Sequence, residues 1–179
     1  MSQSHFPSNF SHRLHEHASG ILPEQWIDRY IDAFIEKANH PRGVQPGSLD
    51  LRVGAGWFSM PYTATPGFLP RGAWITNRGG SPLESVSRDE HGNRRFLLLP
   101  NRAYVARCEE RLTLPSEVFG VANPKSSIGR IDVHVRLLTE SGHAYDQIPH
   151  GYCGDLFLEI VPRSFPMLLS EGTSLAQIR

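Results

Sequence analysis

Two stretches of the sequence decide the fold: residues 133–138 read VHVRLL, and residues 156–161 read LFLEIV. The first alternates apolar and polar residues with the period of a β-strand, and the second is a strongly apolar strand that carries one charged residue, Glu159. Gly and Pro separate similar short apolar runs along most of the chain. These runs predict further strands at 49–53, 72–76, 96–99, 103–107, 118–122, 167–169 and 173–178.

Many short strands with turn residues between them indicate an all-β sandwich, barrel or jelly roll. The chain lacks the alternation of strands and helices that a doubly wound α/β fold requires. One amphipathic helix is predicted before the strands, because Pro23 suits a first helical position and Glu24 a first turn. The residues that share its apolar face are Trp26, Ile27, Tyr30, Ile31, Phe34 and Ile35, and the helix is expected to stop at Asn39 and Pro41.

The domain organisation follows from composition. Residues 1–20 are rich in Ser and His and predict a flexible N-terminal arm, whereas residues 21–179 predict one domain. The stretch 61–95 is rich in Gly, Pro, Ser and Arg, which is typical of a long loop or an insertion. The sequence ends within a predicted strand, which suggests a domain truncated from a longer protein.

Charge and cysteine content narrow the function classes. The 18 basic and 18 acidic residues balance, so a broad nucleic-acid-binding surface is not expected, although a small anion needs only a local cluster of donors. Cys108 and Cys153 cannot form a disulfide framework. With no apolar leader and no apolar run of membrane-spanning length, the sequence predicts a soluble, cytoplasmic protein without a membrane partner.

Known nucleotide-site signatures are missing. A zinc-dependent deaminase needs a His or Cys ligand near a Glu, followed by Pro-Cys-x-x-Cys, which two isolated cysteines cannot supply. We therefore expect no zinc and no other metal held by protein side chains. A Gly-x4-Gly-Lys-Ser phosphate loop and a Rossmann glycine fingerprint are also absent from the sequence.

The segment 123–130, NPKSSIGR, concentrates hydrogen-bond donors in a short space. Lys125 supplies a point charge, Arg130 a planar fork of donors, and Ser126 and Ser127 two hydroxyls. Such groups in a tight turn form a concave anion site. The alternative interpretation is a surface turn that contains a helix-capping Ser.

Glu159 is a candidate acid/base group. If Leu156, Leu158 and Ile160 point to one face of their strand, Phe157 and Glu159 point to the other. A carboxylate that is partly desolvated beside an aromatic ring can exchange protons near neutral pH. The alternative is that Glu159 lies on the wet face of an edge strand.

Four motifs, in this order along the chain, resemble those of deoxycytidine triphosphate (dCTP) deaminases, which belong to the dUTPase superfamily. Residues 45–54, QPGSLDLRVG, are similar to the family's Gln-Pro-Ala-Ser-x-Asp-Leu-Arg-Leu-Gly segment, and residues 126–130 to its Ser-Ser-Leu-Ala/Gly-Arg motif. Residues 151–159 resemble its Gly-aromatic-x-Gly-x4-Glu strand, and residues 171–178 its late strand ending in Gln-Leu. The resemblance is greatest to the N-terminal half of the two-domain proteobacterial form.

The resemblance implies a distorted, jelly-roll-like β barrel of the dUTPase type and a homotrimer, or a trimer-like assembly with a second half, with active sites between subunits. It implies a dCTP or dUTP ligand whose triphosphate carries Mg²⁺. Glu159 matches the general acid/base and Arg130 the arginine that organises the attacking water. The residues that match substrate-binding positions are Ser126, Ser127, Tyr152, Gln177 and Lys125, which stands where the family usually has Arg.

One position departs from the family pattern. Pro149 stands where the family has an Asp that contacts the sugar, and Asp146 is the candidate to replace it. The leading hypothesis is hydrolysis of dCTP to dUTP and ammonia. The alternatives are a dUTP pyrophosphatase, a bifunctional dCTP deaminase/dUTPase, and a non-catalytic nucleotide-binding half.

Overall fold

The computed structural model of the chain describes residues 20–36, 43–61, 79–140 and 144–179. Residues 1–19 of the predicted arm and the predicted strand at 72–76 lie outside the described residues. In the described part, one longer helix precedes a succession of antiparallel strands. The predicted all-β fold class with an N-terminal helix is confirmed.

Helix α1 spans Glu24–Phe34 and packs on the barrel through one face. The N–H groups of Trp26 and Ile27 donate to the carbonyl oxygen of Pro23, which lies just before the helix. The buried side chains of this face are Ile27, Ile31 and Phe34, and Trp26 is half-buried. No helix in the described residues combines the length and apolar character needed to cross a bilayer.

The helix ends earlier than predicted. Ile35 adopts extended backbone angles, with φ −122° and ψ 117°, and begins the short strand β1 (Ile35–Glu36). Ile35 lies opposite Leu112 in an antiparallel pair. The prediction that Ile35 continues the helix is therefore wrong, because a tertiary strand pairing outweighs the local helical periodicity.

The remaining elements are β2 (Val44–Gln45), β3 (Ser48–Met60), β4 (Ser81–Pro82), β5 (Ser87–Arg88), β6 (Arg94–Leu98), β7 (Ala103–Thr113), β8 (Gly120–Pro124), α2 (Ser126–Arg130), β9 (Val133–Thr139), β10 (Gln147–Ile148), β11 (Cys153–Pro162), β12 (Met167–Ser170) and β13 (Ser174–Ile178). The larger sheet has the order β10-β8-β13-β3-β7-β11-β9, and in addition β1 pairs with β7 and both β2 and β4 pair with β3. The smaller sheet has the order β12-β6-β5. Strands β4 to β6 show that the described part of the predicted 61–95 loop contains short paired segments.

The larger sheet curves into a nearly closed barrel. Its last gap, between β8 and β9, is bridged by the backbone of Asp146. The Asp146 N–H donates to the Leu137 carbonyl oxygen at 3.0 Å, and the Asp146 carbonyl oxygen accepts from the Ala122 N–H at 2.8 Å. The smaller sheet packs on the barrel, where Phe96 stacks on Trp57 with ring centroids 4.6 Å apart.

The barrel wall has apolar side chains on both faces. Alternate residues of β11, such as Leu158 and Ile160, point into the main core and are fully buried. Their neighbours point outward into a second cluster, here called the outer cluster, which consists of Met60, Ala103, Val105, Leu138 and Phe157. The outer cluster is the surface on which the candidate acid/base group lies.

Candidate active site

The end of β8 positions the Lys125 segment (residues 123–130). Pro124 lies opposite Ala176 in the sheet, and the Lys125 N–H donates to the Leu175 carbonyl oxygen at 2.9 Å. The five-residue helix α2 then begins at Ser126. Its one buried side chain is that of Ile128, which anchors the turn to the barrel.

The predicted donors of this segment lie at the surface. Ser126, Ser127 and Arg130 are exposed, and Lys125 is partly exposed. Lys125 occupies the position before α2, and no side chain caps the helix there. The alternative interpretation, in which a Ser of this segment caps the helix, is therefore wrong.

Lys125 reaches back to a carboxylate that the sequence analysis did not select. Its Nζ donates to Asp50 Oδ2 on β3. Asp50 lies opposite Gln177 in the sheet, and the Ser48 hydroxyl donates to Gln177 Oε1 at 3.2 Å. Lys125, Asp50, Gln177 and Ser48 thus form one polar group, here called the Lys125 cluster, which brings together two of the predicted substrate-binding residues.

Asp50 is the buried carboxylate of the Lys125 cluster. The residue is 7% exposed, and its Oδ1 atom is buried without a hydrogen-bond partner in the described part of the chain. A buried carboxylate is stabilised by a paired cation, so Asp50 fixes the position of the Lys125 ammonium group. In the sequence Asp50 was recognisable only as the Asp of the 45–54 motif. Its partner, Lys125, lies 75 residues away along the chain.

Glu159 occupies the centre of the barrel wall rather than an edge. Strand β11 pairs with β7 on one side and β9 on the other, and Glu159 lies opposite Val105 and Arg136. It shares the outer face with Phe157 and is only 2% exposed. The predicted division of β11 into two faces is confirmed, whereas the alternative of a wet edge strand is wrong.

Arg136 is the cation nearest to Glu159 in the register of β9 and β11. Residues directly opposite each other in an antiparallel pair have Cβ atoms roughly 4.5–5.5 Å apart. The Arg136 guanidinium also lies over the Tyr145 ring, 4.7 Å from its centroid. In the sequence Arg136 is recognisable only as a polar residue of an alternating strand, because its pairing with Glu159 depends on a register that one sequence does not show.

Asp146 is held by the backbone of β9. Its Oδ1 accepts a hydrogen bond from the Leu137 N–H at 2.7 Å, and its own φ is 62°, in the left-handed region. Burial raises the pKa of Asp146 above its usual value, against the opposing effects of the Leu137 hydrogen bond and the Arg136 charge. Asp146 therefore closes the barrel by bonding to β9, the strand that carries Arg136 opposite Glu159. Pro149 lies exposed in the turn before Gly151.

Tyr152 is a buried residue of the wall. It is 4% exposed, its hydroxyl donates to the Asp155 carbonyl oxygen, and the same oxygen accepts from the Glu140 N–H at 3.1 Å. Burial raises the pKa of the Tyr152 phenol far above its ordinary value. The structure thus engages the polar atom of Tyr152 with backbone groups and does not bring it to the Lys125 cluster.

A further buried carboxylate, Glu110, lies outside the predicted site. It is 2% exposed, accepts a hydrogen bond from the Arg52 N–H at 2.9 Å and lies 3.7 Å from the Arg52 guanidinium. Burial raises the pKa of Glu110 to about 7, against the lowering effect of Arg52. Its place on β7 beside β3 makes it a natural comparison for Glu159.

These elements define a barrel that carries the Lys125 segment at its surface and the buried carboxylate of Glu159 in its wall. A family model for the N-terminal domain of 2'-deoxycytidine 5'-triphosphate deaminase matches residues 18–179, so the chain belongs to this family. The predicted relationship to the dCTP deaminases is confirmed.

Individual relatives agree with the family match. The chain is 25% identical over 162 residues to the "dCTP deaminase, dUMP-forming" of Methanosphaera stadtmanae, covering 88% of this chain and 77% of the relative. It is 26% identical over 165 residues to the protein of the same description from Dictyoglomus thermophilum, covering 88% and 78%.

A solved structure gives a similar result. The crystal structure of 2'-deoxycytidine 5'-triphosphate deaminase from Agrobacterium tumefaciens superposes with a TM-score of 0.78 at 32% identity. The match covers 91% of this chain and 48% of the Agrobacterium chain. The present chain therefore spans about half the length of that protein.

Proposed function

We propose that the protein hydrolyses dCTP to dUTP and ammonia, with Glu159 as the general acid and base. The observation that carries the proposal is the position of Glu159, a nearly inaccessible carboxylate on the outer face of the wall, in a chain that belongs to the dCTP deaminase family. A proton-transfer group needs a fixed position close to the reacting atoms and little competing water.

The proposed reaction needs one water molecule and two proton transfers. Glu159 accepts a proton from water as the water oxygen bonds to C4 of cytosine, and delivers this proton to N3, which leaves a hydroxyl and the amino group on C4. Glu159 then accepts the hydroxyl proton and delivers it to the amino nitrogen, the C4–N bond breaks, and ammonia leaves as the C4 carbonyl forms. Proton transfer by a positioned side chain contributes typically about 10²–10⁴-fold to a rate.

The other groups divide into phosphate binding and orientation. Lys125, Ser126 and Ser127 present an ammonium group and two hydroxyls to the triphosphate, which suits several phosphate oxygens at once. Arg130 organises the attacking water beside Glu159. Gln177 contributes to substrate binding from the Lys125 cluster, and Tyr152 shapes the turn before β11.

The proposed assembly is a homotrimer, or a trimer-like arrangement with a second, similar half, in which the sites lie between subunits. The exposure of Ser126, Ser127 and Arg130 supports this arrangement, since these side chains are accessible to another copy. In this proposal Mg²⁺ arrives on the triphosphate of the nucleotide. The described residues contain no group of three His, Cys, Asp or Glu side chains placed to hold a metal, and the proposal routes no step through a protein-held ion.

A second candidate function is deamination followed by release of pyrophosphate, giving dUMP. The relatives from Methanosphaera and Dictyoglomus, which are named dUMP-forming, favour it. The second step needs a carboxylate that activates water at the α-phosphate, and Asp146, held on β9, is the candidate.

One incubation distinguishes the candidates. The protein is mixed with dCTP and Mg²⁺, ammonia is measured enzymatically, and the nucleotides are separated by ion-exchange chromatography. Ammonia with an equal amount of dUTP supports the first proposal, and ammonia with dUMP and pyrophosphate supports the second. A folded protein that binds dCTP but releases no ammonia would contradict both and favour a non-catalytic nucleotide-binding half.

A further inference from the structure

A cavity of about 550 Å³ opens at the far end of β3 from Asp50. The end of β3, the start of β7 and the end of β11 border it, and its apolar lining includes Met60, Ala103 and Val161. Met60 and Ala103 belong to the outer cluster, and Val161 packs against it. The cavity, here called the arginine cavity, therefore continues the wall face on which Glu159 lies, because Val161 and Glu159 are two residues apart on one strand.

The polar part of the arginine cavity is cationic. Arg102 and Arg163 contribute guanidinium groups, Asn101, Ser59 and Ser81 contribute neutral polar groups, and no acidic residue lines the cavity in the described part of the chain. Neither guanidinium has an ion-pair partner among residues 20–36, 43–61, 79–140 and 144–179. Two arginines at one concave site, with no acidic partner in the described residues, favour an anion, and the planar fork of each suits a phosphate group.

The size and lining select the class of ligand. Cavities of roughly 300–1,000 Å³ with an apolar floor and a few convergent polar groups are typical of small-molecule sites. We propose that the arginine cavity binds a phosphorylated small molecule, with its phosphate on Arg102 and Arg163 and any ring on the floor of Met60, Ala103 and Val161. This site is separate from the Lys125 cluster, which lies at the opposite end of β3, and the proposal does not depend on the deaminase activity.

The test is a calorimetric titration of the whole protein with two probes, inorganic pyrophosphate and deoxycytidine monophosphate. The double variant Arg102→Gln/Arg163→Gln removes the two cavity charges. The matched control Arg88→Gln/Arg95→Gln removes two charges from the smaller sheet instead. A third variant, Lys125→Gln, removes the cation of the Lys125 cluster.

We expect the cavity variant to weaken binding of a phosphate-bearing probe by roughly tenfold or more, because hydrogen bonds between a guanidinium and a phosphate are stronger than those between neutral groups. The control and Lys125→Gln should retain a site of wild-type affinity. Tighter binding of the monophosphate than of pyrophosphate would identify a nucleotide as the source of the phosphate, and the reverse would identify a free phosphate anion.

Three results would overturn the proposal. The first is no saturable binding of either probe to the wild-type protein. The second is equal weakening in the cavity and control variants, which would indicate net charge alone. The third is binding that Lys125→Gln abolishes and the cavity variant leaves intact. Thermal unfolding of each variant checks that the Gln substitutions leave the fold in place, and failure of the deaminase assay would leave this result unaffected.

Discussion

The Lys125 segment and the strand that carries Glu159 are held by the fold in opposite ways. Most polar side chains of the segment are exposed, and one buried residue, Ile128, anchors its short helix. Glu159 is 2% exposed on a strand paired along both edges. In the proposed mechanism, the groups that would meet the triphosphate thus remain hydrated at the surface, whereas the proposed proton-transfer group is fixed by sheet register.

The difference between the two regions suggests how each would respond to substitution. A surface donor contributes through one or two hydrogen bonds, and its loss weakens binding. A group that acts on the reacting atoms contributes mainly in the transition state, and its loss lowers kcat. The four substitutions below test this division, from the largest expected effect to the smallest.

Arg130 tests whether an exposed residue of the segment belongs functionally with Glu159. Arg130→Ala should lower kcat for dCTP deamination by roughly 10²–10³-fold, as loss of a preorganised donor at the reacting centre does. Ammonia release under saturating dCTP measures it, with the exposed Arg88→Ala as control. A change in KM alone would move Arg130 into the phosphate-binding group.

Glu110 tests whether the burial of a carboxyl group, through its raised pKa, makes the stability of the protein depend on pH. Its pKa is raised to about 7 in the folded protein from 4.5, so the unfolded chain loses this proton first as pH rises. The contribution of Glu110 to stability is therefore fully favourable below about pH 4.5, declines as pH rises towards 7, and falls by about 3 kcal/mol in total. Urea unfolding of wild type and Glu110→Gln at several pH values measures it.

The Gln variant should lack this decline, and Glu90→Gln, at a side chain that is 85% exposed, serves as the control. Parallel stability curves for the wild type and Glu110→Gln between pH 4.5 and 7.5 would show that Glu110 ionises without a folding penalty.

Lys125 tests whether the surface donors of its segment contribute to substrate binding. Lys125→Gln should raise KM for dCTP by roughly tenfold with a smaller change in kcat, because a phosphate contact is present in the bound substrate as well as in the transition state. Lys125→Arg should preserve or lower KM, since it restores a planar fork. A fall in kcat as large as that of Arg130→Ala would show that Lys125 acts mainly in the transition state, which would contradict the division of roles between the two regions.

Tyr152 is a predicted substrate-binding residue whose hydroxyl the structure engages with backbone groups. Tyr152→Phe removes a donor to Asp155 and leaves the Glu140 N–H without its acceptor, which should cost about 1–2 kcal/mol of unfolding free energy. Chemical denaturation measures the loss, and KM for dCTP should remain unchanged. A raised KM at unchanged stability would instead show that the hydroxyl binds substrate.

The sequence predicted most strands because their patterns are local. The predicted strands at 133–138 and 156–161 lie within β9 and β11, and the Gly and Pro residues between runs marked the turns. Strand β3 extends well beyond the predicted 49–53, because a register shift between Val53 and Trp57 accommodates Gly54 and Gly56, which interrupt the apolar pattern. Gly56 has φ 83°, which favours glycine at that point.

Residue types and motif order predicted individual residues of the site but not the partners of those residues. Lys125 and Glu159 stood out by their sequence surroundings. Asp50 as the partner of Lys125, and Arg136 as the neighbour of Glu159, depend on pairings between distant strands. No local pattern encodes such pairings, which is why the charges around each predicted residue emerged only with the fold.

Glu159 is the residue on which the proposed chemistry depends most directly. The decisive measurement is ammonia release from dCTP by wild type, Glu159→Gln and the control Glu110→Gln, with dCTP binding measured in parallel. We expect Glu159→Gln to bind dCTP but to lose roughly a hundredfold or more of the activity, while Glu110→Gln remains active. Wild-type ammonia release by Glu159→Gln would contradict the assignment of Glu159 as the proton-transfer group.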